Sequence, residues 1–133
     1  MPLSTKSLFI VEDNAYNRVT YQIALIRTGA FVEFEQWVAG AMRKLMGGRK
    51  YDLIILDLML SRGESGYTLF KEIRSLPKFK NTLIIAVSAA EGVEAMAQCR
   101  ELGFDGYIAK PINPELFPLQ LERILAGESI WLS

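Results

Sequence analysis

The chain has 133 residues, 50% of them hydrophobic, which is the size and make-up of one ordinary domain with a real core. Fifteen basic and fifteen acidic residues balance to a formal net charge of zero, arguing against a nucleic-acid or anionic-membrane surface as the main partner, since either wants a basic excess. The lack of any histidine removes serine–histidine and cysteine–histidine catalysis and the usual zinc sites, and the single cysteine, Cys99, removes an internal disulfide framework.

Strand and helix patterns alternate five times. Ser7–Val11 is a near-continuous apolar run, as expected of a strand buried on both faces. Residues 14–28 carry Ala15, Val19, Ile23 and Ile26 at a helical period, with Asp13 or Asn14 as cap and Gly29 beyond the end. Phe31–Glu35 alternates apolar and acidic residues, which predicts a half-exposed strand at a sheet edge. Val38, Met42 and Leu45 form the next helical stripe, ended by Gly47 and Gly48. Residues 52–56 are another buried strand, and Leu69, Ile73 and Leu76 line a third helix that Pro77 terminates. Residues 83–87 are the fourth strand; Ala95, Cys99 and Leu102 mark the fourth helix, closed by Gly103. Gly106–Ala109 is a short fifth strand, and Phe117, Leu121, Ile124 and Leu125 mark the last helix. Pro118 conflicts with a start at Pro114 and fits a start near Phe117.

This pattern predicts an α/β fold: a three-layer doubly wound sandwich with a five-stranded parallel sheet and five helices. The half-exposed second strand belongs outside the first, giving the flavodoxin-like order 2-1-3-4-5 with its switch point between strands one and three. Residues 1–133 form a single domain, with a core of about residues 6–126 and a tail at 127–133. The tail residues Ile130, Trp131 and Leu132 are unusually apolar for a terminus and either pack back on the domain, are disordered, or dock a partner. No apolar stretch approaches the ~20 residues of a membrane span, and the opening residues are not a secretory signal. The expectation is a soluble cytoplasmic protein.

The chemistry lies at the strand ends. Glu12 and Asp13 follow the first strand, Asp57 the third, Ser88 the fourth and Lys110 the fifth. In a parallel sheet these ends share one carboxyl edge, where open α/β sheets bind ligands. Three carboxylates, a hydroxyl and an ammonium there suit a divalent cation and a phosphoryl group. Taken singly, Asp13 or Asn14 reads as a helix cap, Lys110 as a solvated lysine, and Tyr107 as a packed edge-strand aromatic. Cys99 reads as a small core residue.

In order and at their spacing, Phe9-Ile10-Val11-Glu12-Asp13-Asn14, Leu56-Asp57-Leu58-Met59, Val87-Ser88-Ala89 and Tyr107-Ile108-Ala109-Lys110-Pro111 resemble the receiver domains of two-component response regulators. The resemblance implies Asp57 as phosphoacceptor and Mg²⁺ as cofactor, bound by Asp13, Asp57, the Met59 carbonyl and Glu12, the last often through water. It implies Lys110 and Ser88 on the phosphoryl oxygens, Tyr107 as an aromatic switch, and a Lys110–Pro111 bond that is often cis. The implied donor is a phosphohistidine on a sensor histidine kinase or phosphotransfer protein. The implied readout surface is the fourth helix, fifth strand and fifth helix, meeting a downstream protein target; homodimerisation stays open.

Two positions depart from the family pattern. Ser61 stands where a proline is usual, four residues after the acceptor, and Gly66 comes nine residues after it rather than eight. The Ser61–Gly66 loop is therefore one residue longer. The expected protein is a stand-alone signalling module, not an enzyme, that assists only its own phosphoryl transfer and dephosphorylation. Its rivals are a pseudo-receiver that binds partners without phosphorylation, an aspartyl-nucleophile phosphatase, and a flavin carrier of the same fold. The phosphatase reading lacks a second acid two residues after Asp57, and the acidic first loop is a poor phosphate cradle for a flavin.

Overall fold

A computed structural model describes residues 3–89 and 92–132. The elements run β1 (Ser7–Val11), α1 (Ala15–Leu25), β2 (Phe31–Glu35), α2 (Val38–Leu45), β3 (Leu53–Leu56), α3 (Gly66–Arg74), β4 (Leu83–Ser88), α4 (Gly92–Leu102), β5 (Gly106–Ala109), α5 (Phe117–Leu125) and β6 (Ile130–Leu132). All strand pairs are parallel, in one sheet of order β2-β1-β3-β4-β5-β6. This is the doubly wound flavodoxin-like architecture. Among the described residues, no helix is long and apolar enough to cross a membrane.

Alternate residues of the strands feed two cores. Phe9, Val11, Ile54, Leu56, Ile84, Ala86 and Tyr107 pack under α2, α3 and α4. Leu8, Ile10, Leu53, Ile55, Ile85, Val87 and Ile108 pack under α1 and α5. The central strands are buried on both faces, which is why they read as unbroken apolar runs. β2 is the half-exposed edge its alternation predicts.

Helix α1 differs from the sequence expectation. Its cap is Asn14, whose side chain accepts from the Asn17 N–H at 3.0 Å, as expected. Yet Val19, Ile23 and Ile26 point outward, 50%, 63% and 78% exposed, and Tyr16 joins them. The buried stripe is Tyr21, Ala24, Leu25 and, in the short 3₁₀ turn that follows, Thr28. Both stripes have helical spacing, so periodicity alone does not choose between them. Packing chooses the one whose Tyr21 ring meets Phe34 and Phe117, with centroids at 6.2 and 5.6 Å.

The tail also differs from the five-strand expectation: it adds a sixth strand. Ile130 is buried in the α1–α5 core, while Trp131 turns to the other face, where Arg100 of α4 stacks on its ring at 4.5 Å. The alternation is that of a strand packed on both sides. Gly106 makes the pairing close: a Cβ there would stand 2.9 Å from the Ile130 carbonyl oxygen. Helix α5 begins at Phe117, with Pro118 in its first turn, where a missing N–H costs nothing.

Candidate functional site

The carboxyl edge of the sheet gathers the strand-end groups into one crevice lined by Glu12, Asp13, Asp57, Met59 and Lys110. The Lys110 Nζ lies 2.6 Å from Glu12 Oε1 and 2.6 Å from Asp57 Oδ2. The Ser88 hydroxyl donates to Asp57 Oδ1 at 2.9 Å, and the Met59 N–H donates to the same oxygen at 3.0 Å. The Asn14 N–H donates to Glu12 Oε2 at 3.2 Å. The Lys110–Pro111 bond is cis, and the Lys110 N–H reaches the Ser88 carbonyl at 2.9 Å. One oxygen from each of Glu12, Asp13 and Asp57 lies within 4.8 Å of the others.

The inner part of this crevice is almost dry: the Glu12 and Asp57 side chains are 1% and 7% exposed. Burial raises the Glu12 pKa above its ordinary value; Lys110 pulls the other way, and the nearby Asp57 charge adds to the rise. Burial would favour neutral Lys110, but its hydrogen bonds to Asp57 and Glu12 outweigh that and hold its pKa above the ordinary value. Three acids against one ammonium leave an excess of negative charge. Clustered hard oxygens with surplus negative charge are the donor set that Mg²⁺ requires, so the residues fit that ion.

Sequence reasoning placed Glu12, Asp13, Asp57, Ser88, Met59 and Lys110, and the fold brings them together. Tyr107 is not at the crevice. It is fully buried in the core under α3 and α4, in the cluster that holds Tyr67 and Cys99. Burial pushes the Cys99 thiol up to about 11, as suits a core residue and not a reactive one. Gly66 is explained by contact: a Cβ there would stand 2.1 Å from the Asp57 carbonyl oxygen, so only glycine lets the longer loop pass so close. Two contacts were missed. Arg18 donates to the Glu12 carbonyl at 3.1 Å. Ser61 donates to Asp13 Oδ2 from its N–H at 2.6 Å and also from its hydroxyl. The sequence signals for Ser61 were the missing proline and the extra loop residue, and neither said where the loop turns.

The fold and crevice define a doubly wound α/β protein whose switch-point acids face a lysine carried by β5. Residues 8–122 match the family described as response regulator receiver domain. Protein PetR of Rhodobacter capsulatus is 33% identical over 125 residues, covering 94% of this chain and 51% of that protein. The phosphate regulon transcriptional regulatory protein PhoB of Pseudomonas aeruginosa is 31% identical over 120 residues, covering 90% of this chain and 52% of that protein. Among solved structures, the chemotaxis response regulator CheY4 of Vibrio cholerae superimposes with a TM-score of 0.80 at 25% identity, covering 90% of this chain and 98% of that one. The chain belongs to the response regulator receiver domain family, a family of signalling domains of two-component systems. It spans about half the length of these two curated relatives.

Proposed function

We propose that this receiver accepts a phosphoryl group on Asp57 from a phosphohistidine of a partner sensor histidine kinase or phosphotransfer protein, in a Mg²⁺-dependent reaction. The observation that carries the reading is the bridging of Asp57 and Glu12 by Lys110, with Ser88 on the other oxygen of the acceptor. A carboxylate oxygen of Asp57 attacks phosphorus, the phosphorus–nitrogen bond to the donor imidazole breaks, and the imidazole leaves with the electron pair. No general base is needed, because the nucleophile is already a carboxylate. Lys110 neutralises oxygen charge as it spreads in the transition state, and Ser88 donates to a phosphoryl oxygen. Asp13, Asp57 and the Met59 carbonyl, with Glu12 behind them, would hold Mg²⁺, which supplies the positive charge that lets an anionic donor approach.

Two surfaces complete the proposal. The uncovered apolar stripe of α1 begins beside the crevice, at Tyr16, and is the face a donor protein would meet. Readout passes through Ser88 and Tyr107 to the α4–β5–α5 face, for a downstream protein or a second copy of the chain. Residues 1–133 act as one receiver unit, with the β6 tail as part of it.

Incubation with a small phosphodonor and Mg²⁺, followed by intact mass, tests the reading. One added phosphoryl group is expected, lost in Asp57→Asn and lost without Mg²⁺. No adduct with any donor, despite bound Mg²⁺, would turn the reading to a pseudo-receiver.

A further inference from the structure

The contact between Ser61 and Asp13 is a feature of the crevice that the family pattern, with its usual proline at this position, does not supply. We infer that Ser61 is a positioning residue for the cation: it fixes the Asp13 carboxylate through Oδ2 and so leaves Oδ1 for the ion. The inference deepens the Mg²⁺ reading and rests on it.

The three acids are held very differently. Glu12 is tied by Lys110 and the Asn14 N–H, and Asp57 by Lys110, Ser88 and the Met59 N–H. Asp13 is partly exposed, and lies beyond the last residue of β1. Its carboxylate is held from across the crevice, with both Ser61 donors on the one oxygen. A carboxylate oxygen offers two lone-pair sites, so two donors fill Oδ2 without using Oδ1.

The donor is itself anchored. The Glu64 N–H returns to the Ser61 carbonyl at 3.2 Å, and the Leu60 N–H reaches the Glu64 carbonyl at 3.3 Å, closing the loop on itself. The Arg62 guanidinium stacks on the Trp37 ring at 4.0 Å. Glu64 Oε1 accepts from the Val38 N–H at 3.3 Å, tying the loop to the start of α2. A proline at position 61 has no N–H and no hydroxyl, so it could supply neither bond. Partners that hydrogen-bond a ligating carboxylate orient it, and their loss typically weakens metal affinity by about 10–100-fold.

Calorimetric Mg²⁺ titration of the full chain tests this, with thermal melts in EDTA alongside. Ser61→Ala, which keeps the N–H, should weaken affinity several-fold. Ser61→Pro, which removes both donors, should weaken it by about tenfold or more. Leu60 already has the extended backbone that a following proline demands, so the substitution suits the loop. Ser61→Thr, which keeps both donors, should restore the wild-type value. Melting temperatures in EDTA should barely move, because the contact lies at an exposed rim. Unchanged or tighter binding in Ser61→Ala would overturn the positioning role while leaving the Mg²⁺ reading intact, and this arm stands even if Ser61→Pro fails to fold. Failure of the wild-type chain to bind Mg²⁺ at all would overturn both.

Discussion

The inner and outer halves of the crevice are built on opposite terms. Inside, Glu12, Asp57 and Lys110 are 1%, 7% and 12% exposed, and the Lys110 ammonium holds each acid at 2.6 Å. Outside, Asp13 and Ser61 meet at a wet rim, on a loop fixed by weak contacts. In a dry site a charge without its partner is expensive, so geometry there is bound to folding stability. At a wet rim the geometry can change at little cost to the fold. Of the groups in the family pattern, Glu12, Asp57 and Lys110 therefore sit in the inner half, while Asp13 sits in the outer half beside this chain's departures, Ser61 and the lengthened loop.

The largest effect should come from breaking the inner half. Lys110→Met leaves Glu12 and Asp57 buried side by side without a cation. At pH 7 in EDTA, urea unfolding should show a loss of about 3–5 kcal/mol, the range for removing one partner of a buried ion pair. The loss should shrink toward acid pH, as Glu12 takes up a proton. A loss below about 1 kcal/mol would mean that water reaches the inner acids as freely as it reaches the rim.

Gly66 lies where the two halves meet, and Gly66→Ala is the next largest. The added Cβ would stand 2.1 Å from the Asp57 carbonyl oxygen and 2.8 Å from the Leu58 Cα, both backbone atoms that cannot swing aside. Overpacking of this kind costs about 1–3 kcal/mol. The displaced group is the acceptor's own backbone, so the phosphorylation rate should fall along with stability. A variant that loses stability and keeps its rate would show that the acceptor does not feel the loop.

These two regions also explain what the sequence could reveal. Parallel strands end at a common edge, so Glu12, Asp13, Asp57, Ser88 and Lys110 could be brought together from strand ends alone. Nothing comparable marks a loop. Ser61 reaches Asp13 from a loop in which Arg62 and Gly63 both adopt positive φ, and a left-handed arginine leaves no trace in composition. The exposed stripe of α1 misled because Val19 and Ile23 repeat at the same spacing as Tyr21 and Leu25, and only β2 and α5 decide which side is inside. Three residues of β6 are too few for alternation to tell a strand from a loose tail.

The acid limb of stability sharpens the comparison further. Burial raises the folded Glu12 pKa above its ordinary value of 4.5, so the folded chain binds more protons than the unfolded one between those two values. Stability contributed by Glu12 therefore falls as pH rises through that window and stays low above it. Glu35, at the end of β2, runs the other way. Burial opposes its charge, but the N–H groups of Gln36 and Trp37, together with Lys44, hold its pKa below 4.5, so its contribution is present above 4.5 and lost as pH falls through the folded value. Lys110, raised above 10.5, contributes below that value and loses its contribution as pH rises through its folded pKa. In EDTA, the difference in urea midpoint between wild type and Glu12→Gln should isolate the falling limb above pH 4.5. A pH-independent difference would show that Glu12 is no drier than a rim acid.

The smallest effect should come from Arg62 in the outer loop, where two opposed terms nearly cancel. Its φ of 64° places an arginine in the left-handed region, a cost of about 1–2 kcal/mol for an L-residue. Its stack on Trp37 at 4.0 Å returns about 0.5–1 kcal/mol at an exposed site. Arg62→Ala keeps the backbone cost and loses the stack, so urea unfolding should show a loss of about 0.5–1 kcal/mol. Arg62→Gly removes both, while the freer unfolded chain takes back about 0.4–1 kcal/mol, so its stability should match wild type. The gap between the two variants measures the left-handed cost less the extra freedom glycine gives the unfolded chain. Equal losses in both would mean that the loop relaxes out of the left-handed conformation once the stack is gone. The rim would then owe its shape to Trp37 and not to its own backbone.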